Sequence, residues 1–101
     1  MSNKLVFVST PYAKLDPQLA KRIATKACRD IKKQNLIPIS PVLAFEDIYD
    51  EATERYTIEN VCFDLLASCN YYHYYECDYA RDSIGMQKEL ALAKKLNKIF
   101  I

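Results

Sequence analysis

The hydrophobic pattern of the chain predicts four short strands separated by helices. Residues 4–9 (KLVFVS) are a β-branched and aromatic run, typical of a buried strand. Three further runs, residues 36–40, 70–76 and 98–101, are also predicted to be strands. The run at residues 70–76 is unusual because it carries four tyrosines beside His73, which we interpret as a structural histidine. These tyrosines are predicted to pack on helices or to form a subunit interface.

Three helices are predicted between the strands. Asp16 and Pro17 form a start signal for an amphipathic helix of about 17 residues. Thr57 is predicted to cap a second helix, and Ser83 opens a third that runs to about Leu96. The acidic segment 42–56 is predicted to be a solvated loop with a turn or two of helix.

This order of elements predicts an α/β domain that spans residues 1–101. Strands that alternate with helices form a parallel sheet with right-handed crossovers. We therefore expect a three-layer Rossmann-like or flavodoxin-like sheet of about four strands, with helices on both faces. In such sheets ligands bind beyond the carboxyl ends of the strands. The segments predicted to lie there are residues 9–12 and 76–85.

Composition excludes several classes of function. The chain has 14 basic and 13 acidic residues and a net charge of +1, so it has no basic field for a nucleic-acid polymer or an anionic membrane. The four cysteines form no CxxC pair, and the single histidine is not at zinc-ligand spacing from them, so neither a metal nor another cofactor is expected. No apolar run suits a signal peptide or a membrane span, which predicts a cytoplasmic protein with reduced thiols.

Glu89 is the sharpest anomaly in the pattern, because it falls in the apolar sector of the third helix. It follows Gly85 by one turn, and helical side chains lean toward the N-terminus. We therefore expect it to lie near the strand ends, under the loop formed by residues 76–83. It could be a paired structural acid, a nucleophile or base in a partly desolvated pocket, or an exposed residue if the helix register differs.

Two nearby groups of residues are candidates for ligand binding. Gly85, the single glycine, lets a ligand or a neighbouring backbone approach the first turn of the helix, whose free amides favour anions. Asp82 and Ser83 could bind a ligand there or simply cap the helix. After the first strand, the turn residues Ser9, Thr10, Pro11 and Tyr12 lie where a phosphate or sugar would approach.

Four segments together resemble the nucleoside 2-deoxyribosyltransferase-like superfamily. They are FVSTPY after the first strand, IPISP at residues 37–41, DLLASCN at residues 64–70 and DSIGMQKELALA at residues 82–93. The last of these is the most specific. The small uncharacterised DUF4406-type domains are the members that the chain resembles most.

The resemblance implies particular roles for particular residues. Glu89 matches the nucleophile that attacks the anomeric carbon of the sugar, and Asp64 matches the acid that binds or protonates the base. Ser9 to Tyr12 would line the nucleoside pocket. The chain departs from the family in several features. Asn70 replaces a usual Asp, residues 71–75 are aromatic where the family is aliphatic, no Trp precedes the Ser-Gly motif, and the chain stops after the fourth strand. The helical wheel also places Asp64 about 140° from the apolar stripe of its helix.

Several functions are consistent with these features. The first is a nucleoside- or nucleotide-handling enzyme, an N-glycosidase or deoxyribosyltransferase that uses Glu89. The second is a non-catalytic module that binds a nucleotide. The third is an interaction protein whose tyrosine-rich strand forms an oligomer interface. The expected partners are a small nucleoside or nucleotide and further copies of the chain, with no nucleic-acid polymer and no membrane.

Overall fold

The computed structural model describes residues 3–101, and its elements follow the predicted order. The strands are β1 (Leu5–Ser9), β2 (Ile37–Ile39), β3 (Tyr71–Tyr74) and β4 (Ile99–Phe100). The helices are α1 (Pro17–Lys32), α2 (Pro41–Phe45), α3 (Arg55–Ser68) and α4 (Ile84–Lys95). Within residues 3–101, no helix is both long enough and apolar enough to cross a membrane.

All four strands run parallel in the order β2-β1-β3-β4. After β1 the chain adds β2 on one side, then returns to add β3 on the other side of β1. The strand order therefore reverses between β1 and β3, where parallel sheets open a crevice at their carboxyl ends. Ser9 and Tyr74, which are paired in register, mark this end of the two strands.

Alternate residues of β1 face opposite layers of helices. Val6 and Val8 are fully buried and pack with Ala27 and Ile31 of α1. Phe7 points to the other face and packs with Leu66 of α3 and with Ala93. The three-layer parallel α/β architecture predicted from the sequence is thus confirmed.

The tyrosine-rich strand β3 belongs to the core of the chain itself. Tyr72 is fully buried, stacks on Phe7 with 6.1 Å between ring centroids, and meets Phe100 edge-on at 5.2 Å. Tyr71 packs with the cluster on the α1 face. His73 lies with its Nδ1 atom 2.8 Å from the carbonyl oxygen of Ile101. Packing within the chain therefore explains the aromatic pattern, and the predicted subunit interface stays a prediction.

Two of the predicted helix starts are confirmed, and one is wrong. The side chain of Asp16 accepts a hydrogen bond from the Leu19 amide, and that of Ser83 accepts one from the Met86 amide, each at 3.2 Å. Thr57 does not cap α3, because the helix begins at Arg55. The Ile58 amide already donates to the carbonyl of Glu54 at 2.9 Å, so Thr57 lies inside the first turn.

The acidic segment contains the short helix α2. Its cap is Ser40, whose hydroxyl accepts a hydrogen bond from the Leu43 amide at 3.2 Å. Pro41 ends β2 and occupies the first helical position, which suits its fixed backbone angle. Residues 46–54 continue as turns. This agrees with the predicted loop containing a turn or two of helix.

Candidate active site

A pocket opens at the carboxyl end of β1, on the sheet face covered by α3 and α4. Its cavity volume is about 120 Å³. The chain just after β1 supplies Thr10 and Tyr12, and α2 supplies Val42 and Phe45. The remaining walls come from the 46–54 segment, from α3 and from the first half of α4. The pocket therefore lies where the fold predicts a ligand.

Glu89 reaches this pocket from α4 and meets the end of β1. The Ser9 hydroxyl donates a hydrogen bond of 2.7 Å to its Oε1 atom. Within residues 3–101, Oε2 has no hydrogen-bond partner. The inward position predicted for Glu89 is confirmed. Its predicted place near the strand ends is confirmed as well, and Ser83, at the end of the 76–83 loop, lines the same pocket.

Burial raises the pKa of Glu89 to about 7, because the surroundings solvate a carboxylate poorly. The hydrogen bond from Ser9 opposes this shift, and the negative charge of Glu59 adds to it. A carboxyl group with a pKa near neutrality is present in both protonation states at physiological pH. This is the range in which acids, bases and carboxylate nucleophiles operate in enzymes.

Two ion pairs brace the walls around Glu89. Lys88 donates to Glu59 at 2.9 Å and so joins α4 to α3. Arg55 pairs with Glu51 at 3.2 Å. All four of these residues line the pocket. In the described part of the pocket wall, each basic side chain therefore already has an acidic partner.

Cys62 is the other group in the pocket that could serve as a nucleophile. Burial raises the pKa of its thiol to about 12, and nearby carboxylates, Glu89 first, add to the shift. The reactive form of cysteine is the thiolate, which such a thiol rarely forms at neutral pH. Among the described residues of the pocket, Glu89 is thus the better nucleophile.

The first turn of α4 forms one rim of the pocket. Ser83 and Gly85 line it, and the Ser83 hydroxyl caps the helix as well. A Cβ atom added at Gly85 would meet no atom within 4 Å. Close approach of a neighbouring backbone therefore does not explain this glycine, and the space beside it is open to the pocket.

Substitutions at Gly85 should separate folding from ligand access. We expect Gly85→Ala to fold normally and to gain up to about 0.5–1 kcal/mol in stability, because alanine favours helix. Gly85→Phe should fold as well but weaken ligand binding by filling the rim. Thermal unfolding and ligand titration of both variants check this. Loss of folding in Gly85→Ala would contradict the open space at this position.

Thr10 and Tyr12 form the wall nearest β1. Thr10 is only 8% exposed, and its hydroxyl has no hydrogen-bond partner in the described chain. A buried hydroxyl without a partner is costly, so a group that binds it is expected. Burial raises the pKa of the Tyr12 phenol, and the surrounding carboxylates, Glu46 first, raise it further.

Four residues predicted for the site lie outside the pocket wall. Ser9 is fully buried and reaches the site through its hydrogen bond to Glu89. Pro11 is fully buried, so it shapes the turn between Thr10 and Tyr12. Asp82 is exposed ahead of the α4 cap. Asp64 lies on the exposed face of α3, as its position on the helical wheel indicated. The geometry of one chain therefore gives Asp64 no contact with a ligand beside Glu89.

Glu59 is the acidic residue of α3 that lines the pocket, and sequence reasoning missed it. A signal was present, because Glu59 lies about 60° from Cys62 on the helical wheel, whereas Asp64 lies about 160° away. Sequence reasoning also missed Phe45, Glu46 and Tyr49, which reach the pocket through contacts distant in the chain. No periodic pattern indicates such contacts.

Ser9 is predicted to control the protonation of Glu89. We expect Ser9→Ala to raise the pKa of Glu89 further, since the hydroxyl stabilises the charged form. The ¹³C chemical shift of the Glu89 carboxyl carbon, followed against pH, measures this directly. An unchanged titration midpoint in Ser9→Ala would show that the 2.7 Å hydrogen bond does not tune Glu89.

Comparison with known proteins identifies a family model but no activity. A family model described as a domain of unknown function, DUF7768, matches residues 4–101. No curated protein matches the chain. The resemblance to the deoxyribosyltransferase-like superfamily and to DUF4406-type domains therefore stays a prediction.

Proposed function

The chain belongs to the DUF7768 family, and we propose that it cleaves the N-glycosidic bond of a nucleoside or nucleotide. It would act as an N-glycosidase or a deoxyribosyltransferase, with Glu89 as the nucleophile. One observation carries the proposal: a carboxylate oriented by Ser9 at 2.7 Å faces a pocket at the switch point of a parallel sheet.

The chemistry proceeds in two balanced steps. A Glu89 oxygen attacks the anomeric carbon, and the bond from that carbon to the base nitrogen breaks with its electron pair going to the nitrogen. A base that departs as an anion takes up a proton from water. A water molecule, or a nitrogen of a second base, then attacks the same carbon. The ester bond breaks, Glu89 leaves as a carboxylate, and the proton of the attacking group passes to solvent. Two displacements at one carbon retain its configuration.

The walls of the pocket suit this reaction. Phe45, Tyr49 and Tyr12 provide aromatic faces against which a base can stack. The unpartnered Thr10 hydroxyl provides a polar group for a sugar, and the α4 rim at Gly85 leaves open space for it. The motif in α4 that resembles the transferases contains both Gly85 and Glu89, which supports the same assignment.

A panel of nucleosides and nucleoside monophosphates, with ribose and deoxyribose members, tests the proposal. The purified chain is incubated with each compound, with and without a second free base, and the products are separated chromatographically. Release of free base, or exchange of bases, is expected for at least one member. The variant Glu89→Gln should release none.

Two other results would contradict the proposal. If no member of the panel, with ribosides of both neutral and cationic bases included, loses its base, the enzyme assignment fails. If a member raises the melting temperature at high concentration without any product, the pocket belongs to a binding module instead.

A further inference from the structure

We infer that the pocket selects N-glycosides whose base carries a fixed positive charge, such as N-ribosyl pyridinium compounds, over neutral nucleosides and phosphorylated nucleotides. This inference rests on the proposed function and names its substrate class. Four observations carry it: the charge of the pocket wall, its aromatic faces, the Thr10 hydroxyl, and the pairing of Glu59, the acid of α3 in the pocket, with Lys88.

The pocket wall carries more negative than positive charge. Its carboxylates are Glu46, Glu51, Glu59 and Glu89, and its cations are Arg55 and Lys88. Arg55 is paired with Glu51, and Lys88 is paired with Glu59. Glu46 and Glu89 have no basic partner within residues 3–101. A phosphate dianion would face this surplus without an unpaired cation in the described wall, whereas a cationic ring would be attracted.

The aromatic side chains stand beside the same acids. Phe45 and Tyr49 meet edge-on, with 5.8 Å between their ring centroids. The Tyr12 phenol lies in the negative field of Glu46 and three further carboxylates of the 46–54 segment. Aromatic faces attract cations through their quadrupole, and nearby carboxylates strengthen that attraction. A flat cationic heterocycle satisfies both features at once.

The buried hydroxyl of Thr10 is a polar group of the pocket wall that is free to bind a ligand. It lines the pocket with 8% of the residue exposed and has no partner among the described residues. A hydroxyl in that position requires a donor or acceptor from a ligand or from water. The hydroxyl groups of a sugar supply such a partner without adding negative charge. The pocket therefore suits an uncharged sugar joined to a charged base.

The leaving group supplies the chemical reason for a cationic base. A neutral base needs a proton as it departs, and the acid of α3 that lines the pocket with Glu89 is already paired. Glu59 accepts the hydrogen bond of the Lys88 ammonium, and Asp64 lies on the exposed face of α3. Burial also makes the Tyr12 phenol a weaker acid by raising its pKa. A pyridinium base departs as a neutral molecule when it takes the electron pair of the glycosidic bond, so it needs no proton.

A binding experiment tests charge selection apart from catalysis. 1-Methylnicotinamide, which is methylated on the ring nitrogen, and nicotinamide share a ring and an amide, but only the first carries a fixed charge. By calorimetric titration, we expect the cation to bind at least about fivefold more tightly. The variant Glu46→Gln should reduce that ratio, whereas the control Glu76→Gln, at an exposed position outside the pocket, should not. Equal binding of the two compounds by the unaltered chain would overturn the inference.

A kinetic experiment tests the substrate class. The values of kcat/KM are compared for nicotinamide riboside, its 5′-monophosphate, inosine and deoxyadenosine, each divided by its uncatalysed rate of hydrolysis. This ratio is expected to be at least about tenfold higher for the riboside than for the monophosphate and the neutral nucleosides. Cleavage of a neutral nucleoside or of the monophosphate with equal or greater enhancement overturns the inference and leaves the proposed function intact. If none of the four compounds is cleaved, and no member of the earlier panel is cleaved either, the proposed function is overturned as well.

Discussion

Glu89→Gln is expected to lower kcat/KM for N-glycoside cleavage by at least about 10³-fold while the fold remains intact. An amide cannot form the glycosyl ester, so the reaction loses its nucleophile. The loss corresponds to at least about 4 kcal/mol of transition-state stabilisation. Gln has the size of Glu and retains an oxygen that accepts the Ser9 hydrogen bond. Steady-state kinetics beside far-UV circular dichroism separates chemistry from folding.

The same substitution should also change how stability depends on pH. The folded chain binds the Glu89 proton more tightly than the unfolded chain, because the pKa rises from 4.5 to about 7 on folding. The stability that the Glu89 proton contributes is therefore fully present below about pH 4.5 and is lost as the pH rises through about 7. At pH 8 we expect Glu89→Gln to be more stable than the unaltered chain by on the order of 2 kcal/mol.

The matched control for both measurements is Glu76→Gln. Glu76 follows β3, is exposed and does not line the pocket. The Glu76→Gln variant should retain full activity and the pH profile of the unaltered chain. Equal activity in Glu89→Gln and Glu76→Gln would remove Glu89 from the reaction. Urea unfolding of the three proteins at pH 5 and pH 8 gives the stability comparison.

Phe7→Ala should cause the largest loss of stability of any single substitution considered for this chain. Phe7 is fully buried on the central strand β1, stacks on Tyr72, and packs against Leu66. Removing a buried phenyl ring costs about 3–5 kcal/mol through lost burial and the cavity that remains. For a domain of this size, the melting temperature should fall by about 20 °C.

Phe100→Ala provides the control at the edge of the sheet. Phe100 is 45% exposed on β4 and touches the ring of Tyr72 edge-on. Its loss should cost about 1 kcal/mol, since half of its surface is already in contact with water. Differential scanning calorimetry compares the two variants. Equal losses would contradict the placement of β1 at the centre of the sheet.

Most of the fold was predictable because it depends on local patterns. The apolar run of β1 and the caps at Asp16 and Ser83 are signals within a few residues of the elements they define. The start of α3 was misplaced because Thr57 resembles a cap, while the helical hydrogen bonds begin at Glu54. The aromatic strand β3 was found, but its role in the core became clear only from its contacts with Phe7 and Phe100.

The site was only partly predictable, for a different reason. Glu89 violated the periodicity of its own helix, and this violation correctly indicated its inward position. Glu46 and Tyr49, by contrast, lie in a turn segment without periodicity, and tertiary packing brings them to the pocket. Asp64 was assigned to the site from a family resemblance, whereas the helical wheel correctly indicated its exposed position.

Trapping of the glycosyl ester tests most directly whether Glu89 is the nucleophile. The probe is an N-glycoside with fluorine at C2 of the sugar and a pyridinium leaving group. Fluorine slows both steps because it destabilises their oxocarbenium-like transition states, whereas the good leaving group speeds the first step alone. The glycosyl ester should therefore form and then hydrolyse slowly. Intact-protein mass spectrometry should show the mass of one fluorinated sugar, located to Glu89 by peptide fragmentation and absent from Glu89→Gln. Steady cleavage of the parent substrate with no adduct, or with an adduct on another residue, would contradict this mechanism.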